Sequence, residues 1–266
     1  LLYAHFLGQA LADDPTRTSW TQEELLDDVL HKDRSHRWQT VFGEGAPEIG
    51  EDHPALRLAA LATMAEGVDL PQLRSQEDTF KAGPKLARQA AVITDTPLKD
   101  ATPPPRIAPV QPDILGEWFV LRSIRDGLPA EDVCDAAWRV APKSMARFLA
   151  RLSRDFPDSQ QTYLLMDHPT PDQESKESYS ELSIGILMNF AWYRGRMHKP
   201  VGRVPPNLMA LLTDMSEAGD SLAMALLSSC YRYGVGVASD EAEAFAWARK
   251  GAEAGEHQAP ASQQTP

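Results

Sequence analysis

The chain has 266 residues, of which 42% are hydrophobic, enough to bury a substantial core and to exclude wholesale disorder. Its 38 Asp and Glu residues outnumber its 26 Lys and Arg residues, and the formal net charge of −12 argues against nucleic acid as the main partner. The sequence has no apolar stretch of about 18 residues, and Cys134 and Cys230 do not make a secreted disulfide framework, so we expect a cytoplasmic protein without a membrane span.

Residues 1–50 predict a helical segment. Leu1–Leu11 has the spacing of an amphipathic helix and opens without Met or a signal peptide, so we expect this segment to continue a module that begins upstream. Thr21, with Glu24 three positions later, forms a capping-box pattern before a second helix. That helix is predicted to end in the basic stretch His31–Trp38.

Residues 52–122 predict a winged-helix-like domain. Helices are expected near residues 54–66, 69–77 and 84–91. Val92–Ile93 and Arg106–Val110 are the best candidates for a small two-stranded ribbon. The three consecutive prolines at positions 103–105 indicate an extended stretch or a loop, rather than a helix, just before Arg106.

A further helix is predicted to start at Asp113, as its N-cap, and to run to about Arg125. Asp113 and Glu117 lie four positions apart, the spacing of one helix face. We interpret them as a cap and a first-turn acid that complement the helix dipole, rather than as an acid–base pair.

Residues 123–200 predict a helical linker domain. Glu131–Phe156 has the pattern of one or two helices, a polar loop follows at His168–Ser175, and a helix resumes at about Glu181–Arg196. Residues 259–266 are predicted to be a disordered tail.

The segment 201–258 contains an internal repeat. Ser216–Asp220 recurs as Ala252–Glu256 about 36 positions later, in the range of helical-hairpin repeats. Residues 220–256 resemble the Sel-1-like repeat, a relative of the tetratricopeptide repeat, although Ser228 stands where the family has Gly and Gly251 where it has Ala. The matching positions are Ala223, Leu227, Tyr231, Gly234, Gly236, Asp240, Ala244, Trp247, Ala252 and Gly255.

The first helix of this repeat is predicted to bury the stripe Ala223, Leu227 and Tyr231. Gly234 and Gly236 allow the positive φ that a tight turn between helices requires. The resemblance implies that these residues build the hairpin and are not a catalytic site.

The second helix is predicted to begin after Asp240, which can cap it, with Glu243 at the reciprocal position. Ala244 and Trp247 then face the first helix, and we expect Trp247 to be the principal side chain between the two helices.

The opposite face of the first helix is the candidate partner-binding surface, because repeats of this kind take partner proteins on their concave side. An ordinary solvated face is the alternative. The candidate residues are Ala225, Ser229, Arg232 and Tyr233.

The upstream half resembles the region that follows the nucleotide-binding module in bacterial STAND-class (NACHT-like) signalling ATPases. The resemblance rests on Leu1–Leu11, Leu25–Trp38, Ala108–Glu117 and Phe148–Pro157. It implies a helical segment and a winged helix that carry the nucleotide state to the C-terminal repeats.

The sequence predicts no catalytic residue, metal site or cofactor. It has no G-x-x-x-x-G-K-[S/T] or G-x-S-x-G motif, and if the parent protein is an ATPase, its P-loop precedes Leu1. His31 and His36 are five positions apart, off the spacing that places two metal ligands on one helix face. We interpret His31, Arg34 and Arg37 as a solvated helix end rather than a nucleotide or subunit contact.

The expected fold is all-α: a helical array with a small winged helix, ending in a short α-solenoid. The expected function is the non-catalytic coupling and sensor or scaffold region of a STAND-type ATPase, binding a protein partner through the repeat. A stand-alone Sel-1-like adaptor is the alternative, and a DNA-binding winged-helix regulator is disfavoured by the net charge. Self-association of the full-length parent stays open.

Overall fold

The computed structural model of the protein describes residues 8, 19–71, 73, 83–98, 104–168, 178, 186, 204 and 206–258. The chain forms two compact units, Leu1–Met145 and Ala146–Pro266. The described residues are mostly helical, as the all-α prediction requires, with one short two-stranded ribbon.

The first unit begins with helix α1, Gln22–Asp33. The predicted capping box is confirmed, because Thr21 Oγ1 accepts from the Glu24 N–H at 3.2 Å and the Thr21 N–H donates to Glu24 Oε2 at 2.7 Å. A π-helical turn, Arg34–Trp38, leads from α1 into the short helix α2, Gln39–Phe42.

Helix α3, Pro54–Met64, is followed by strand β1, Val68–Asp69, helix α4, Pro84–Ile93, and strand β2, Arg106–Ile107. The strands pair antiparallel, Val68 with Ile107. The prediction that Val92–Ile93 is a strand is therefore wrong. These β-branched residues end α4, where the Pro84 start and the buried alanines of its face favour a helix.

Helices α5, Asp113–Arg125, and α6, Ala130–Val140, complete the first unit. The N-cap of α5 is Pro112, so the prediction of Asp113 as the cap is wrong by one position, although Asp113 remains a first-turn acid. Glu117 is buried and Asp113 is exposed, so the two carboxylates do not share one environment.

The core of this unit forms where α3 packs against α4, α5 and α6. The rings of Trp38 and Phe119 meet edge to face with centroids 6.4 Å apart. At the edge of this core, Trp118 Nε1 donates to Asp27 Oδ1 at 2.8 Å, which joins α5 to α1.

The second unit contains most of helix α7, Pro142–Asp155, then α8, Gln160–Met166, α9, Pro206–Glu217, α10, Ser221–Tyr233, and α11, Glu241–Gln258. The predicted helical stretch Glu131–Phe156 is thus two helices, α6 and α7, separated at Ala141.

Several predictions lie outside the described residues. They are the helix at Leu1–Leu11, most of the helix at 69–77, the helix at Glu181–Arg196 and the tail 259–266. The five-part domain division, the winged helix and the solenoid stay predictions.

Candidate partner-binding surface

Helices α10 and α11, here called the hairpin, are positioned by local sequence features. Asp220 Oδ1 accepts from the N–H groups of Leu222 and Ala223, both at 2.9 Å, and so caps α10. Asp240 Oδ1 accepts from the N–H groups of Ala242 at 2.9 Å and Glu243 at 3.0 Å, as the prediction of a cap at this position requires. Two carboxylates therefore set the start of both helices.

The turn between the helices depends on its two glycines. Gly234 ends α10 with φ of +63° and Gly236 has φ of +71°, so both adopt the predicted positive φ. A Cβ atom on Gly236 would lie 2.7 Å from Met209 Sδ, so this position also requires the absence of a side chain. The turn thereby packs closely against α9.

The buried side of α10 comprises Ala223, Met224, Leu227, Ser228 and Cys230. Ala223 and Leu227 are buried as predicted, and Ala244 of α11 is buried as well. Tyr231 is only half-buried, so the prediction that it is the third buried residue of the stripe is wrong; it lies on the same side but in the last turn of α10.

Both departures from the Sel-1-like pattern lie in the helix–helix contact. Ser228 Oγ donates to the Ala244 carbonyl oxygen at 2.7 Å. A Cβ atom on Gly251 would lie 3.2 Å from Met224 Cβ and 3.3 Å from the Ser221 carbonyl oxygen. The small Gly251 thus lets α11 approach α10 closely.

Trp247 is half-buried, so the prediction that it fills the space between the helices is wrong. The close approach at Ala244 and Gly251 leaves no room for an indole between the helix axes. The ring instead lies on the flank of α11, with Lys250 Nζ 4.1 Å from its centroid. Of the other positions that match the repeat pattern, Ala252 is exposed and Gly255 is half-buried.

The exposed side of α10 forms a continuous stripe within an arc of about 120°. Of the predicted residues, Ala225, Arg232 and Tyr233 are exposed and Ser229 is half-buried. Two leucines that the sequence reasoning missed complete it. We call this surface the α10 stripe; its members are Leu222, Ala225, Leu226, Ser229, Arg232 and Tyr233.

The hairpin exposes an unusual amount of large apolar side chain. Leu222 is 53% exposed, Tyr233 52% and Phe245 68%. Among the described residues, these are three of the four large hydrophobic side chains that are exposed, and the fourth is Leu164 at 54%. Exposed large apolar side chains that share one helix face, as Leu222 and Tyr233 do, mark interaction surfaces more often than singly scattered ones do.

The basic end of α1 is engaged within the first unit. Arg34 donates to the Pro47 carbonyl oxygen at 2.9 Å and to Glu48 Oε1 at 2.6 Å. Arg37 contacts Asp33 and lies 2.6 Å from Asp95. Burial raises the pKa of Asp33 although Arg37 opposes that rise. Arg34 and Arg37 therefore hold neighbouring segments, whereas His31 is exposed.

The cysteines do not provide a nucleophile. Burial raises the pKa of the Cys230 thiol to about 11, and burial also raises the pKa of Cys134. Both thiols stay protonated near neutral pH, and only the thiolate reacts readily.

Across the described ranges, no group of three or more His, Cys, Asp or Glu side chains has an arrangement that could hold a metal ion. In the same part of the chain, no helix combines the length and apolar character needed to cross a membrane. No protein-family model, curated protein or solved structure matches the chain.

Proposed function

We propose that this chain is the non-catalytic coupling and protein-interaction region of a STAND-type signalling ATPase, and that it binds a partner protein through the α10 stripe. The observation that carries the proposal is the exposure of Leu222 and Tyr233 on a helix whose other side contains five buried residues. Exposed apolar and aromatic side chains supply the anchors of protein interfaces.

The coupling role is supported by the order of elements in the first unit. Helix α3, strand β1, helix α4 and strand β2 follow one another in the chain, and a small winged helix that includes them is part of the proposal. In this proposal the small domain transmits a change of state and does not bind DNA, because the chain is strongly acidic.

Site-specific photo-crosslinking tests the partner surface. A photoreactive phenylalanine analogue at position 233 should give a discrete covalent adduct in the native host, identifiable by mass spectrometry. Leu222→Ser should abolish that adduct. The matched control is Leu164→Ser, because Leu164 has nearly the same exposure as Leu222 but lies outside the hairpin. An adduct that survives Leu222→Ser, or that Leu164→Ser also removes, would contradict the proposal.

A stand-alone Sel-1-like adaptor would use the same stripe but would have no ATPase partner module. The gene sequence before Leu1 distinguishes the two: a P-loop supports coupling to an ATPase, and a start codon directly before Leu1 supports the adaptor. The purified chain itself should neither hydrolyse ATP nor bind it at micromolar concentration.

A further inference from the structure

Carboxylates lie at the Leu222 end of the α10 stripe. Asp220 Oδ1 accepts the Leu222 N–H at 2.9 Å, which places this carboxylate directly against the first residue of the stripe. Glu217, in the last turn of α9, is exposed. Two carboxylates therefore precede Leu222 at this end of the helix.

Carboxylates also lie at the Tyr233 end. The Asp240 N–H donates to the Tyr231 carbonyl oxygen at 2.9 Å, and Ser239 Oγ donates to the Arg232 carbonyl oxygen at 3.1 Å. These bonds fold the turn back, so the first residues of α11 lie beside the end of α10. Glu241 and Glu243 are exposed there.

The charge of the surrounding sequence has the same sign. Residues 206–258 contain eight Asp and Glu residues and three Lys and Arg residues. The carboxylates are at 214, 217, 220, 240, 241, 243, 253 and 256, and the cations are at 232, 249 and 250. Within α10 itself the single charged residue is Arg232. The stripe therefore presents apolar side chains at both ends and a single cation, Arg232, and carboxylates lie near each end.

Resting on the proposed function, we propose that the α10 stripe takes an apolar segment of a partner protein that is flanked on both sides by Lys or Arg. Leu222 and Tyr233 are eleven positions apart, about 16 Å along the helix. Apolar side chains of the partner pack against Leu222, Leu226 and Tyr233. Its cationic side chains pair with the carboxylates at the two ends, and one of them can stack on the Tyr233 ring.

The acidic ends select against other ligands. An acidic peptide, a nucleic acid or an anionic lipid surface would bring like charge against Glu217, Glu241 and Glu243. An uncharged apolar peptide would contact the stripe but would leave the end carboxylates without added attraction. Complementary charge also speeds encounter with a basic partner.

Selection from a random library of displayed peptides, each about 12 residues long to span the stripe as a helix, tests this inference on the full chain. The Leu222→Ser, Tyr233→Ser double variant serves as counter-target. Selected peptides should be enriched in Lys and Arg around apolar residues. Binding of one selected peptide should weaken about tenfold between about 50 and 300 mM salt, because ion pairs at an exposed surface are screened.

Charge neutralisation without loss of packing provides the second readout. Glu217→Gln, Glu241→Gln and Glu243→Gln together should weaken that peptide several-fold, whereas Leu164→Ser should leave its affinity unchanged. Peptides that depend on the stripe but lack excess Lys and Arg, or that bind independently of salt, would overturn this inference and leave the proposed function standing. Failure to enrich any stripe-dependent peptide would count against both.

Discussion

The hydroxyl of Ser228 donates a 2.7 Å hydrogen bond to the main-chain carbonyl oxygen of Ala244 and so joins the two helices of the hairpin. Both residues are buried, so water does not compete for this bond. The Sel-1-like pattern has Gly at this position, which cannot make the bond. The bond is thus a polar link between the two helices at a buried position.

We expect Ser228→Ala to destabilise the hairpin by about 1 kcal/mol, the usual net contribution of one hydrogen bond. Ser229→Ala is the matched control, because the Ser229 hydroxyl bonds to the Ala225 carbonyl oxygen within its own helix and is only half-buried. The control should change stability by less than about 0.5 kcal/mol. Hydrogen exchange of residues 221–255 measures both, and equal losses in protection would show that the interhelical bond contributes nothing.

Gly251→Ala should destabilise the hairpin by about 1 kcal/mol, although alanine favours helix formation, because overpacking outweighs the gain in helix propensity. The added methyl would press on Met224 Cβ and the Ser221 carbonyl oxygen, both fixed by the backbone of α10. Gly255→Ala in the same helix should instead stabilise by about 0.5–1 kcal/mol, since its Cβ would lie 4.0 Å from Ser221 Cβ. Thermal or urea unfolding that gives both variants the same sign would contradict this packing.

Trp247→Ala should cost about 1–2 kcal/mol, less than the loss from a fully buried aromatic, because part of the indole is already exposed to water. Leu227→Ala should cost more, about 2–5 kcal/mol, because Leu227 is 1% exposed and its removal leaves a cavity. The two variants can be ranked by exchange protection in residues 221–255. A larger loss of exchange protection for Trp247→Ala than for Leu227→Ala would show that the indole packs between the two helices.

Glu66 provides a backbone test in the first unit, because it adopts a left-handed conformation with φ of +55° after α3. Glycine adopts this conformation without the steric cost that any Cβ atom brings. We expect Glu66→Gly to be more stable than Glu66→Ala by about 1 kcal/mol, the reverse of their order inside a helix. Since both variants lack the glutamate side chain, their difference in urea midpoint isolates the backbone contribution. An alanine variant of equal or greater stability would refute it.

Asp52 should make stability depend on pH. Hydrogen bonds from Arg57, at 2.6 and 2.7 Å, lower the pKa of Asp52, so folding favours its ionised form. The stabilisation is present above the unfolded pKa of about 4 and is lost as the pH falls through the lower folded pKa. Asp52→Asn should therefore cost at most about 0.5 kcal/mol at neutral pH, since the pair is partly exposed and screened.

The difference between wild type and Asp52→Asn should shrink to zero in strong acid, measured as urea midpoints across pH. Glu44→Gln, which changes an exposed carboxylate in the Gly43–Gly45 turn, is the control. If the difference in stability between wild type and Asp52→Asn increases on acidification, then folding does not lower the pKa of Asp52.

The helix caps were predictable from the sequence, whereas the burial of individual side chains was not. The Thr21 capping box and the Asp240 cap follow from a few adjacent residues, and the structure has both. The burial of Trp247 depends on how closely two helices approach, which Gly251 controls from another part of the surface. Leu222 was not predicted to be exposed, because an apolar residue next to a helix cap resembles a core residue. Its spacing to Leu226, Ser229 and Tyr233 places it on the same helix face as the predicted partner-binding residues, and that spacing could have identified it.

The ribbon was only half predictable for a related reason. The sequence predicts a strand at Arg106–Val110, and the strand covers Arg106–Ile107. Its partner strand, Val68–Asp69, lies far earlier in the chain. A strand of two residues has too short a pattern to be recognised from the sequence around it. Val92–Ile93 has the β-branched composition of a strand, but the helix that precedes it continues through both residues.

The buried side of α10 and the α10 stripe have no residue in common. Substitutions that alter what the stripe recognises therefore need not alter how the hairpin holds together, and mutations of the two kinds should combine additively where their side chains do not touch. Because of this division, substitutions on the stripe can change which partner is bound while the packing of the hairpin is retained. Related chains that diverge in their partners would then differ at positions such as 222, 226 and 233 and agree at 223, 227 and 244.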